Sequence, residues 1–282
     1  MGICLIMIQQ LDHVILTSLS LYLDHAIQNQ GSAFSNKSGL FYPDNSNSFG
    51  IYTYSCSYKQ LCNDTSISGA NIISGVYLNG VYAGVGTSGL IGINHYEGDV
   101  YFNQQLPKNT IVSGNFAVKE INVTISDQPD YKVVLNNKFA SNPKYAQVAT
   151  GIPEDVTVFP AIILVPKFQE TLPFAFAGID NNAMTVRAMI VCETAWQRVG
   201  VGNILKNLRL KTLNLVSKTP FDFLGTYTGI PYNYNNLPFY QYPTSYIMEA
   251  KVTEIPEVGG FSDTTKQFSM CDFKISSWGS HN

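Results

Sequence analysis

Alternating apolar and polar positions mark the chain most clearly from Asn71 to Phe102, NIISGVYLNGVYAGVGTSGLIGINHYEGDVYF. Val76-Tyr77-Leu78 leads into Asn79-Gly80, and Val81-Tyr82-Ala83 leads out. Asn-Gly between β-branched and aromatic residues predicts a tight hairpin, because a type I′ turn needs positive φ at both central positions. Gly86, Gly89 and Gly92 then predict a glycine loop, and Val100–Phe102 predicts a return to extended chain after the polar turn His95–Asp99.

The same period-2 signal recurs downstream. Thr110–Phe139 reads as mostly strand, with Ile121-Asn122-Val123-Thr124-Ile125 apolar at its odd positions and a strand over Tyr131–Leu135 after the turn Asp127–Asp130. Val156–Val165 is nearly continuously apolar around Pro160, the pattern of a strand covered on both faces. Pro166 and Pro173 predict a loop, and Met184–Cys192 a further strand. Tyr246–Ile255 and Lys266–Ser276 read as two long alternating strands joined through Pro256–Asp263. Residues 31–70, rich in Ser, Asn and Gly, predict a long surface excursion with short strands such as Gly50–Tyr54.

Two segments switch to the helical period. Ile15, Leu16, Leu19, Leu23 and Ile27 share a broad face over Leu11–Gln28, stopped by Asn29-Gln30-Gly31. Trp196, Val199, Ile204 and Leu208 keep the period over Thr194–Leu210. The expected fold is therefore α+β and β-rich: an antiparallel sandwich or barrel-like domain with an N-terminal helix and one mid-chain helix. It is expected to form a single domain over residues 1–282 with long loops at 31–70 and 220–243.

Composition sharpens this picture. Charged residues make up 13% of the 282 positions, about half the share of roughly 25% usual in globular chains. The surface is thus covered by Asn, Ser, Thr, Gln, Tyr and Gly, and with a net charge of −3 it has little repulsion against association. Such a surface suits a subunit held in an assembly. Five cysteines without paired spacing argue against a disulfide framework or a zinc site, and Cys56 and Cys62 read as free, part-buried thiols. Residues 1–10 lack a basic start and a cleavage site, so no secretory signal is expected, and their apolar run is too short to span a membrane.

Candidate chemistry is sparse. Gly84–Gly89 fits G-x-G-x-x-G by letter, but no helical period follows it, so no dinucleotide site or other cofactor is expected. The Asp-His pairs at Asp12-His13 and Asp24-His25 lie roughly 120° out of register on their helix, which makes them solvated residues and not a metal site. Arg198, Lys206, Arg209, Lys211 and Lys218 form the only basic cluster; without interleaved aromatics they predict no nucleic-acid groove. His95–Asp99 is the best catalytic candidate by position, though a polar turn explains it, and no enzyme motif is present. The remaining candidate is a contact loop, Tyr227, Tyr232, Tyr234, Tyr240 and Tyr242 among Gly, Asn and Pro, since Tyr and Asn supply rigid area and adaptable hydrogen bonds.

The strings LYLDHAIQNQGSAFSN, GANIISGVYLNG and TSGLIGINHYEGDVYF, with the stretch from Arg187 through Phe221–Gly225, resemble virion structural proteins of tailed bacteriophages, especially those infecting cyanobacteria. The resemblance implies a non-enzymatic virion component of the neck, tail or baseplate, assembled in the host cytoplasm. Its implied partners are other virion proteins and further copies of itself in a ring, with neither nucleic acid nor membrane. A host-recognition or carbohydrate-binding module, using the tyrosine loop, is the alternative.

Overall fold

The computed structural model describes residues 11–30, 33–44, 50–140, 157–173, 180–218, 220, 229–241, 244–255 and 266–279. Helix α1 (Leu11–Gln28) presents Leu11, Ile15, Leu19, Leu23 and Ile27, spaced by four, as one buried stripe. Its extent is that predicted.

Seven strands build the first sheet: β1 (Phe34–Pro43), β2 (Tyr52–Cys56), β3 (Gly75–Leu78), β4 (Val81–Gly84), β5 (Leu90–Asn94), β6 (Asp99–Phe102) and β7 (Val112–Lys119), in the order β4-β3-β7-β1-β2-β6-β5, all antiparallel. The Asn79-Gly80 hairpin forms as expected, with φ of 50° and 86° at its two turn residues. Two expectations change. Within residues 31–70 the expected short strand forms as β2, but a longer one precedes it, since β1 pairs with β7 over eight positions, from Phe34 opposite Lys119 to Phe41 opposite Val112. The loop predicted from Gly86, Gly89 and Gly92 is interrupted by β5, whose ladder to β6 shifts register between Leu90 and Gly92. Gly92 accommodates the irregularity within a strand instead of ending one.

The second sheet holds β8 (Asn122–Ile125), β9 (Ala161–Pro173), β10 (Asp180–Cys192), β11 (Lys211–Leu213), β12 (Thr244–Glu254) and β13 (Gln267–Gly279), in the order β11-β12-β13-β10-β9-β8. Every pair is antiparallel except β8 with β9. Ile162 and Leu164 of β9 face α1, while Ala161, Ile163 and Val165 face the opposite side, so the strand is covered on both faces as its continuous apolar run predicts. It begins after Pro160, however, and runs through Pro166. That proline sits at a register shift against β10, where the missing N–H is tolerated.

Helices complete the layers. The strand predicted over Tyr131–Leu135 is instead α2 (Asp130–Asn137), a second mid-chain helix. Pro129 precedes its first turn, and Val133, Val134 and Asn137 form its buried side against Phe159 and Ala161. α3 (Ala195–Lys206) starts at a capping box in which Thr194 and Gln197 satisfy each other's backbone N–H. Its buried side is Val201, Gly202 and Leu205; Trp196, assigned from its spacing to the apolar face, is 88% exposed. α1 and α3 thus cover one face of the second sheet and α2 the other.

Candidate functional site

A polar seam runs between the two sheets, built from residues far apart in the chain. At the end of α1, Asp24 accepts hydrogen bonds from Lys119 Nζ (2.9 and 3.1 Å), Gln28 Nε2 (2.7 Å) and Tyr232 Oη (3.1 Å). Asp24 and Lys119 are both buried, so the charge-assisted pair is largely withdrawn from bulk solvent. One residue on, His25 Nδ1 donates to Asp64 Oδ2 at 2.6 Å while Asn29 Nδ2 faces Nε2 at 2.8 Å. Asp64 Oδ1 accepts from Ser66 Oγ (2.6 Å) and from the backbone N–H groups of Ser66 and Tyr234. Burial pushes the Asp64 carboxyl upward, but these hydrogen bonds outweigh it and hold the group below the usual carboxylate range. The Asp24-His25 pair is therefore not the solvated surface expected of it. A single helix turn supplies two neighbouring side chains to two different buried partners.

Ser66 Oγ donates to Asp64, and His25 Nδ1 is engaged by the same carboxylate while its second nitrogen faces Asn29, so His25 is held as a partner of Asp64 and not as the acceptor of the Ser66 proton. The His95–Asp99 turn lies between β5 and β6 as predicted. His95 is fully buried, with Nδ1 3.1 Å from the Gly229 carbonyl and Nε2 3.0 Å from that of Ile73. Burial lowers its pKa against the pull of those carbonyls. Lys59, also buried, reaches Glu97 at 2.6 Å. Gly98 is required there, since its φ is 73° and a Cβ would meet the Tyr58 carbonyl at 2.0 Å.

The tyrosine loop divides. Tyr232 and Tyr234 are buried with Leu21 and Val216, and Tyr234 stacks on His25 with ring centroids 4.3 Å apart, so neither ring stands out from the surface of the single chain. Burial raises the Tyr234 phenol above its ordinary pKa. Tyr240 is half-buried, and its N–H donates to Leu215 O. Tyr227 and Tyr242 lie outside the described residues. Of the basic cluster, Arg198 pairs with Glu254 at 3.0 Å, whereas Lys206 and Arg209 line a groove with Lys251 and Lys274.

Two concavities flank the seam. One, of about 450 Å³, lies between α1 and β8 and is lined by His13, Thr17, Ser20, Asp24, Lys119 and Tyr232 among others. The second, of about 560 Å³, lies between α2 and β8, and Asn122, Thr124, Ser126, Gln128 and Asn136 give it an uncharged amide and hydroxyl lining. They share Gln60, Tyr96, Thr124, Ile125 and Ser126 and so meet along β8. Such a cleft can hold a neutral, hydrogen-bonding ligand. Among the described residues, no three His, Cys, Asp or Glu side chains gather into a metal-holding group, and no helix is long and apolar enough to cross a membrane.

Fold and site together define a β-rich α+β protein of two sheets with a polar cleft between them. Among known proteins, no family model matches the chain and no curated protein matches its sequence.

Proposed function

We propose that the chain is a non-enzymatic structural subunit of a tailed-phage particle, in its neck, tail or baseplate, which associates with its own copies and with other virion proteins. The observation that carries the reading is the free edge of the first sheet. β4 is an edge strand, and Val81 is 71% exposed on it beside exposed Tyr82. Between Asp64 and Glu97 the chain has no Asp, Glu, Lys or Arg, so this edge lacks the charges that keep edge strands apart. Tyr82 lies in a non-hydrogen-bonded pair with Tyr77, counting from the two-residue turn, so its backbone N–H and C=O point away from β3. Pairing of this edge with a different surface of the next copy is head-to-tail, the geometry that closes rings.

Light scattering behind a sizing column tests the reading. The expected mass is a discrete multiple of 31.1 kDa, falling to the monomer when Tyr82→Lys charges the edge. A wild-type monomer that binds neutral glycans would replace the subunit with a recognition module.

A further inference from the structure

We infer that the edge of β8 that no described strand pairs is a docking site for an extended, uncharged peptide segment of a neighbouring chain, which adds to the second sheet as a seventh strand. Among the described residues, β8 is the terminal strand of that sheet and has one partner, β9. The backbone N–H groups of Asn122 and Ser126 donate to Pro160 and Leu164 on the β9 side. In a parallel ladder the intervening residues turn their N–H and C=O outward, so Val123 and Ile125 present theirs to the open edge. Neither residue makes a hydrogen bond there to any described residue.

The two cavities lie where the side chains of an added strand would go. Alternate residues of a strand point to opposite faces of its sheet. On one face of β8, Val123 and Ile125 pack toward α1, and the 450 Å³ cavity opens beside them with Leu16 and Leu21 in its wall and the paired Asp24 and Lys119, with His13 and Asp127, at its polar side. On the other face, Asn122 and Thr124 border the 560 Å³ cavity beside α2. An extended peptide along the edge would place successive side chains alternately in the two spaces, apolar residues on the α1 side and amides or hydroxyls on the α2 side. Main-chain hydrogen bonds supply affinity in such strand addition, and the side pockets supply selectivity.

Asn122 points to the chemistry of the ligand. It is 2% exposed, its Nδ2 donates to Val158 O, and its Oδ1 has no partner while bordering the α2-side cavity. A buried amide oxygen without a donor is costly, and a donor from a bound Asn, Gln or Ser side chain satisfies it. With no charged residue lining that cavity among those described, a Lys, Arg, Asp or Glu entering it would be left unpaired.

The test uses fluorescein-labelled ten-residue peptides alternating Val or Ile with Asn, Gln or Ser, with control peptides carrying Asp or Lys at the polar positions. Fluorescence anisotropy against the full chain is expected to show micromolar binding of the uncharged set and at least tenfold weaker binding of the charged set. Ile125→Pro removes one outward N–H that β9 does not use, and is expected to weaken binding at least tenfold with circular dichroism unchanged. Should that variant fail to fold, Thr124→Lys, which puts a cation beside the α2-side cavity, is expected to do the same. Tyr82→Lys, on the other sheet, is expected to leave binding intact. Absence of binding, equal binding of charged peptides, or binding that survives both β8 variants overturns the site. Binding of neutral hexasaccharides in place of peptides overturns it too. The subunit reading supplies only the source of the peptide: a ring-sized mass without peptide binding removes the β8 site and leaves that reading standing.

Discussion

Asp99 stands directly across from Ser55 in the β2–β6 ladder, beside Glu97 and Asp44. Burial, which disfavours the charged form, pushes its carboxyl up to about 6; the Ser55 hydrogen bond opposes this and the neighbouring acids add to it. Because the folded pKa lies above the unfolded one, the native state holds the proton more tightly between pH 4 and 6, and stability falls as pH rises through that window. Above pH 6 the ionised group costs about 2–3 kcal/mol. Asp99→Asn is therefore expected to raise the thermal midpoint at pH 7.5 and leave it nearly unchanged at pH 4; an equal effect at both would refute the assignment. Asp64 behaves in the opposite sense. Its folded pKa is depressed, so its contribution is present above the normal carboxylate pKa and is lost as pH falls through the folded value.

At the scale of elements, local pattern was readable wherever neighbours in sequence decide the structure. The Asn79-Gly80 turn, α1, and the paired strands β12 and β13 follow from turn chemistry and periodicity alone. The run Tyr131–Leu135 misleads because its β-branched residues favour a strand locally, while long-range partners hold α2 as a helix. Asp130 in its first turn pairs with Lys167 and lies 2.8 Å from Arg187, which also makes a bidentate pair with Asp272. Burial pushes the Asp130 carboxyl up, but those contacts together outweigh it and draw it down, and no spacing rule announces them. Helix α3 shows the reverse problem. Its start was legible, but Trp196 has the right spacing and lies on the exposed side, because Gly202, not a large residue, faces β12 at close approach. Thr194→Ala is expected to destabilise the chain by about 1 kcal/mol through loss of the cap, whereas Trp196→Ala should stay within about 0.5 kcal/mol. Urea midpoints compare the two, and a larger loss from Trp196→Ala would mean that the indole is covered in solution.

Across the whole molecule, the buried seam is the part that the sequence hides most completely. Asp24 meets Lys119 and Tyr232, and His25 meets Asp64, at separations of 39 to 208 residues. A polar residue on a helix reads as solvated unless its distant partner is known. The seam joins α1, which packs on the second sheet, to the last residue of β7 in the first. Lys119→Met alone leaves the Asp24 carboxylate buried without its cation and is expected to cost about 3–5 kcal/mol. Adding Asp24→Leu should recover a large part of that loss, since an apolar pair of similar volume replaces the ions. A double-mutant cycle of unfolding free energies measures the coupling, and additive losses would show that the pair does not act as one unit.

The four described cysteines, Cys56 and Cys62 in the first half and Cys192 and Cys271 in the second, are all free and buried, and burial pushes each thiol up to about 12. Thiolate is the form that attacks disulfides and oxidants, and at neutral pH these groups hold almost none of it. Burial and the scarcity of thiolate both slow attack by these four thiols on disulfides and oxidants. Slow thiol chemistry in a reducing or an oxidising environment thus follows from packing alone.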